Sequence, residues 1–232
     1  MTARGAYDLG VAGAPSPSDS LILRFSELTE ASPARPRDFA LRALDVVFAA
    51  VFLLLSLPLT IPIALAVVST SGRPLFYRGE RVGRGGRIFE MLKFRTLARG
   101  AEDRLGPYLG EELVRRTKAE TTPIGGWLRA TQLDEVPQLL NVLRGDMSLV
   151  GPRPERPVFV EEFRRRMPGY MLRHKVKAGM TGWAQINGWR GNTSLEKRLE
   201  YDLYYIERWS LAFDLRILLQ TFWRGFVSKN AY

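Results

Sequence analysis

The chain has 232 residues, 46% hydrophobic and 25% charged, enough for one folded domain with appendages, and its net charge is +10. It has no cysteine and a single histidine, His174. Disulfides, thiolate zinc sites, iron–sulfur clusters, thiol nucleophiles and a two-histidine metal site within one chain are thereby excluded, and a metal would be held mainly by oxygen, as magnesium, manganese or calcium are.

The positive surplus implies an anionic partner: nucleic acid, a phosphorylated ligand or an anionic membrane surface. Residues 1–37 are rich in Gly, Ala, Pro and Ser and read as a mobile tail, with Leu21 to Leu28 as a short amphipathic piece. No apolar stretch closely follows the N-terminus, so an ordinary secretory signal is not expected.

Val46 to Val68 is 23 residues without a charge, long enough to span a bilayer. A buried core helix is the bland alternative. Pro58 and Pro62 lie near its middle and free carbonyls that lipid cannot satisfy, though Ser56 and Thr60 could donate to some of them. Arg24, Arg35, Arg37 and Arg42 precede the run, and Arg73, Arg78, Arg81, Arg84 and Arg87 follow it. The positive-inside tendency then puts both ends in the cytosol. About twelve residues to the break give roughly 18 Å of helix, a little over half the ~30 Å hydrocarbon core. The expectation is a re-entrant helix–break–helix over 38–72, entering and leaving by one face, with a kinked full span as the alternative.

Arg73 to Arg95 holds seven basic and two acidic residues, half the net charge of the chain. Leu75-Phe76-Tyr77 and Ile88 to Phe94 read as a hairpin around Gly83-Arg84-Gly85-Gly86, which lacks the Gly-Lys-Ser/Thr of a phosphate-binding Walker loop. Lys93 and Arg95 share a face by the strand period of two and could clamp a phosphate; a solvated basic face beside anionic lipid is the alternative. Gly100 to Thr122 is polar and helical in places. Pro123 to Ala130 predicts a short helix carrying Trp127 and Arg129, and Arg129 is close enough in sequence to reach Asp134 or a phosphate held there.

Thr131 to Asp146 predicts a short helix with Asp134 and Glu135 in its first turn. Thr131 and Asp134 have the spacing of a capping box, Pro137 is tolerable only in a first turn, Leu139, Leu140 and Leu143 form an apolar face, and Gly145 sits at the stop. The free N–H groups and the positive end of the macrodipole would favour two anionic carboxylates, suited to a nucleophile or a metal ligand; acidic residues are also common in first turns for stability alone. Arg153, between Pro152 and Pro154, presents a guanidinium on a rigid turn, a good bidentate partner for phosphate or merely part of a structural turn.

Glu155 to Arg173 reads as a helix broken near Pro168-Gly169, and His174 sits in a basic run where a structural role is the default. The Gly- and Trp-rich run Lys177 to Asn192 could line a pocket that stacks on a base or sugar, or be a loop packed on its own aromatics. Leu195 to Glu207 reads as a helix, and Trp209 to Phe226 has the sparse charge of a segment that lies in a membrane interface.

Four motifs in this order resemble the bacterial sugar transferase family of monotopic phosphoglycosyl transferases: Lys93-Phe94-Arg95-Thr96, Asp134-Glu135-Val136-Pro137-Gln138, Gly145-Asp146-Met147-Ser148 and Gly151-Pro152-Arg153-Pro154. The likeness runs from about residue 38 to the C-terminus. The run Thr181 to Gly191 and the ending Lys229-Asn230-Ala231-Tyr232 are similar to the branch that moves glucose 1-phosphate in exopolysaccharide synthesis. Larger members of that branch carry further N-terminal membrane helices and another domain, so the chain reads as a minimal catalytic unit.

The resemblance implies an α+β fold: a small helical and β-hairpin catalytic domain over 73–232 on the cytosolic face of the bacterial inner membrane, with the re-entrant helix before it and interfacial amphipathic helices. It implies transfer of a hexose 1-phosphate, glucose 1-phosphate first, from a UDP-sugar to polyprenyl (undecaprenyl) phosphate, with release of UMP. By position, Asp134 would be the nucleophile, Glu135 would help hold Mg²⁺ (or Mn²⁺) with Asp134, and Lys93, Arg95, Arg129 and Arg153 would bind substrate phosphates. One departure stands out. Family members often have Asp-Pro-Arg-x-Thr where this chain has Lys118-Ala119-Glu120-Thr121-Thr122, so Glu120 replaces a basic residue. A non-catalytic membrane scaffold is the alternative reading. A nucleic-acid binder is not expected, since the charge clusters beside the apolar run, where anionic lipid headgroups would lie. Self-association is left open.

Overall fold

The computed structural model describes residues 36–105, 110–191 and 193–225. The N-terminal tail up to residue 35, with its Leu21 to Leu28 piece, and the Lys229–Tyr232 ending lie outside the described residues.

The apolar run forms helix α1, Pro36–Ser71, and its Phe39–Ser71 portion is long and apolar enough to cross a membrane. Most of its large side chains face away from the protein: Leu54, Leu55, Ile61 and Leu65 are each more than half exposed, while Ala49, Ile63 and Val67 are buried. The alternative of a buried core helix therefore does not hold. The expected break is not seen as an interruption, because helix runs through both Pro58 and Pro62. Ser56 donates to the Leu53 carbonyl at 2.8 Å and Thr60 to that of Leu57 at 3.5 Å, each one residue before a carbonyl that the prolines deprive of an amide donor.

Both ends of α1 are tied to the rest of the protein. Near the start, Arg42 donates to the carbonyls of Val142 and Leu143 at 2.5 and 2.7 Å, and Asp45 accepts from the Ser148 hydroxyl and the Leu149 amide, both at 2.9 Å. At the other end, Arg95 donates to the carbonyls of Ser71 and Gly72, satisfying the last turn of the helix.

The hairpin forms as expected in kind. Strand β1, Phe76–Val82, pairs antiparallel with β2, Ile88–Phe94, from Phe76 opposite Phe94 to Val82 opposite Ile88. Short helices α2 (Ala101–Leu105) and α3 (Gly110–Ala119) follow. Helix α4, Pro123–Thr131, starts with Pro at its first position and the Thr122 hydroxyl accepting from the Gly125 amide. Helix α5, Gln138–Arg144, ends at Gly145 in the left-handed conformation.

Strand β3, Met147–Val150, then pairs in parallel with β4, Ala178–Thr181, across a connection that contains helix α6 (Pro157–Arg166) and a 3-10 stretch, Tyr170–Lys175. The sequence reading did not anticipate this pair. Helices α7 (Trp183–Ile186), α8 (Leu195–Glu207) and α9 (Leu211–Gly225) complete the described chain. The result is the expected α+β mixture of helices and small sheets. Its main core joins Val142 of α5, Met147, Leu149 and Val150 of β3, Leu199 and Leu203 of α8 and Ile217 of α9; a second cluster packs Ile63 and Val67 of α1 on Phe94 and Leu128. On α9, Asp214 and Ile217 point inward while Leu211, Leu215, Leu219, Phe222 and Trp223 are exposed.

Candidate active site

Helix α4 ends where Gln132 takes the left-handed conformation (φ 59°, ψ 12°). A single 3-10 turn, Leu133–Glu135, follows, and Pro137, lacking an amide N–H, can only begin the next helix. The capping box expected from Thr131 and Asp134 does not form. Thr131 donates backward to the carbonyls of Trp127 and Leu128, at 2.9 and 3.1 Å. Asp134 and Glu135 thus stand in a tight turn between two helices, not at the start of one continuous helix.

The two carboxylates have opposite surroundings. Asp134 is 2% exposed, its Oδ1 is buried without a hydrogen-bond partner among the described residues, and its Oδ2 is 3.9 Å from Lys93 Nζ. Glu135 Oε1 accepts from Lys93 Nζ and from Arg153 Nη2, both at 2.7 Å, while its Oε2 accepts from Arg153 Nη1 at 3.3 Å. Burial raises Asp134 to about 6; the Lys93 charge opposes this, and the Glu135 charge adds to it. For Glu135 burial also acts upward, but Arg153 and Lys93 together outweigh it and hold the group far below the usual carboxylate range. The turn therefore pairs a strongly ionised, cation-saturated carboxylate with a desolvated, more basic one. The dipole argument made from sequence does not describe Asp134, because burial outweighs it.

Lys93 reaches this turn through Asn141. That side chain, fully buried on α5, accepts from the Leu92 amide at 2.9 Å and donates to the Glu90 carbonyl at 2.7 Å and to Asp146 at 3.2 Å. It fastens the edge of β2 to the helix behind the turn. Arg153 is fixed by its loop. A Cβ on Gly179 would come within 2.1 Å of the Gly151 amide, and one on Gly182 within 2.2 Å of the Gly151 carbonyl. Only glycine lets these backbones approach, and the Gly179 amide then donates to the Pro152 carbonyl at 3.0 Å. Arg173, buried and paired with Asp202 at 2.7 Å, donates to the Arg153 carbonyl at 3.0 Å.

Of the residues singled out from sequence, Asp134, Glu135, Lys93 and Arg153 converge directly. Arg129, on the last turn of α4, adds a positive charge that lowers Asp134. Arg95 is directed instead to the end of α1. Glu120 forms a two-point pair with Arg104, at 2.7 and 2.6 Å, so its charge is compensated locally. His174 is buried edge-on to Tyr170, and burial with the neighbouring Arg173 charge lowers it to about 3, a neutral structural residue. The Gly- and Trp-rich run folds as β4 and α7 with a short loop after them, and its tryptophans pack on α8: Trp183 stacks against Tyr201 and Tyr204, and Trp189 lies against Tyr201. Sequence reasoning assigned no role to Gln132, which Arg190 contacts, or to the buried Gln138 and Asn141 of α5; the left-handed Gln132 carried no signal beyond its place before Leu133-Asp134-Glu135.

Among the described residues no group of three His, Asp or Glu side chains could hold a metal ion unaided. The unpartnered Asp134 Oδ1 fits a ligand role. Glu135, with both oxygens taken by cations, does not fit one as it stands. This donor set suits a magnesium ion that takes most of its ligands from substrate phosphates and water.

The family model described as "Bacterial sugar transferase" matches residues 36–228. The chain belongs to the bacterial sugar transferase family. The matched residues take in the turn, β2 and the Arg153 loop. Within this family the chain is 47% identical over 82% of its length to an Escherichia coli protein named UDP-glucose:undecaprenyl-phosphate glucose-1-phosphate transferase. It is 42% identical over 84% of its length to a Caulobacter vibrioides protein of the same name. A relative from Aeromonas hydrophila, 35% identical over 86% of the chain, is named UDP-N-acetylgalactosamine-undecaprenyl-phosphate N-acetylgalactosaminephosphotransferase. The chain spans 41% of the E. coli relative's length, 73% of the C. vibrioides one and 46% of the A. hydrophila one.

Proposed function

We propose that the protein transfers a hexose 1-phosphate, glucose 1-phosphate first, from a UDP-sugar to undecaprenyl phosphate and releases UMP, as the first membrane step of exopolysaccharide or glycoconjugate synthesis. The observation that carries this reading is the carboxylate pair: a buried Asp134 with an unpartnered oxygen beside a Glu135 held by two cations. The relatives' names support the substrates, and the two glucose-named relatives are more similar than the N-acetylgalactosamine-named one.

Asp134 attacks the phosphorus that bears the sugar, an acyl-phosphate bond forms, and the P–O bond to UMP breaks. An oxygen of undecaprenyl phosphate then attacks the same phosphorus and displaces Asp134, regenerating its carboxylate. Desolvation makes Asp134 a better nucleophile than an exposed carboxylate. Glu135 keeps Lys93 and Arg153 beside the reacting phosphorus, and Arg129 adds a third cation near Asp134. Magnesium, held by Asp134 with the diphosphate, would neutralise charge on the leaving UMP.

The helix α1 is read as re-entrant, on the cytosolic leaflet of the inner membrane. Its support is that Arg42 and Arg95 tie opposite ends of the helix to the same body. The exposed face of α9 is read as lying in the same interface, beside anionic lipid.

The test is intact mass spectrometry of the protein in nanodiscs with magnesium and UDP-glucose and no lipid acceptor. A hexose-phosphate adduct on the wild type, absent from Asp134→Asn, is expected. Retention of cellular function by Asp134→Asn, with no UMP released from any UDP-sugar, would establish a non-catalytic scaffold instead.

A further inference from the structure

Gln132 is the one residue other than glycine with a positive φ among the described residues. The left-handed conformation costs any side-chain-bearing residue more than glycine, so a glutamine here needs a reason. The reversal at Gln132 ends α4 and aims the Leu133–Glu135 turn that carries Asp134. With its amide turned so that the oxygen faces Arg190, Gln132 accepts from Nη1 at 2.9 Å and from Nη2 at 3.3 Å.

Arg190 is delivered by a braced loop. Gly188 and Gly191 flank it at positive φ, and the Trp189 amide donates to the Ala184 carbonyl at 3.0 Å. Arg198, buried on α8, donates to the Gly191 carbonyl at 2.6 Å and pairs with Glu155 at 2.7 Å. The Glu155 carbonyl in turn accepts from the Val82 amide at 3.0 Å. Glu155 lies two residues beyond Arg153. One side chain, Arg198, thus braces both the loop that presents Arg190 and the loop that presents Arg153.

We propose that Arg190 is a positioning residue: it clasps Gln132 and so locks the turn carrying Asp134 in register with the Arg153 loop. The proposal rests on Asp134 as the reacting carboxylate. The clasp explains why a glutamine occupies a position whose backbone favours glycine. It gives the C-terminal segment a part in catalysis without contact with substrate.

The experiment is a double-mutant cycle of Gln132→Gly, Arg190→Ala and both together, in nanodiscs, reading UMP release and thermal unfolding. Relief of the left-handed backbone offsets the loss of the clasp in Gln132→Gly, so this variant is expected to fold. Each single change is expected to lower kcat about tenfold or more with the donor KM within about twofold, as a displaced nucleophile requires. The double variant should be no slower than the slower single one. Arg190→Ala should lower the unfolding temperature of the otherwise wild-type chain but not that of the Gln132→Gly protein, a coupling that is read even where no turnover occurs. Wild-type kcat in Gln132→Gly overturns the clasp, and so does additivity in the double variant. A raised donor KM confined to Arg190→Ala also overturns it, because Arg190 then binds substrate directly. Failure of the wild type to release UMP with any donor overturns the proposed function, while the unfolding cycle alone then decides whether the two side chains are coupled.

Discussion

At the scale of single residues, the buried Asp134 departs from what stability alone would favour. Its carboxyl, raised by burial from 3.8 to about 6, binds a proton more tightly folded than unfolded. Its contribution is therefore fully favourable below about pH 4 and is lost as the pH rises through 6. Asp134→Asn should stabilise the metal-free protein by about 3 kcal/mol at pH 7.5 and by nothing measurable at pH 4, while activity is lost; thermal unfolding at the two pH values checks this. A bound magnesium ion can only lower the Asp134 value. The acid limb of kcat/KM should then fall at or below about pH 6, which a pH–rate profile reads directly. The identities of Asp134, Glu135, Lys93 and Arg153 were legible in the sequence because they sit in short fixed motifs. Why one carboxylate is basic and the other strongly acidic was not, since that depends on Lys93 and Arg153 arriving at Glu135 from distant parts of the chain.

Among the elements, the joint between β2 and α5 decides whether Lys93 meets the turn. Asn141 makes three hydrogen bonds there from a position with no exposure. Asn141→Ala would leave the Leu92 amide and the Glu90 carbonyl without that partner. A loss of about 2–3 kcal/mol is expected, with a drop of several degrees in Tm, measured by thermal unfolding. The hairpin was readable from strand composition and its glycine-rich connector. The parallel pairing of β3 with β4 was not, because each strand is four residues long and their register is set by close contact of Gly151 with Gly179 and Gly182. The helix predicted to begin at Thr131 failed for a similar reason: its local capping pattern was outcompeted by the bonds of Thr131 to the preceding helix and by the reversal at Gln132.

For the whole molecule, the placement of α1 governs where the site lies relative to lipid. A straight helix of its 36 residues would be about 54 Å long, well beyond the ~30 Å hydrocarbon core, yet Arg42 and Arg95 bind its two ends to one body. The absence of native cysteine makes the topology directly measurable. In the re-entrant reading, Phe39→Cys and Thr70→Cys are both labelled by a membrane-impermeant maleimide from the cytosolic side, and neither from outside. Labelling of one of them from outside would instead establish a full span.

The family, the long apolar helix, the hairpin and the names of the four converging site residues could all be read along the linear chain. Hydrophobic run length, strand period and short motifs are local properties, and local properties survive in a linear reading. Four things emerged only in three dimensions: Asp134 is desolvated, Glu135 is saturated by Lys93 and Arg153, Arg95 serves the helix end, and Arg190 reaches Gln132. Each of these depends on burial or on partners far apart in the chain, and both exist only once the backbone has closed on itself.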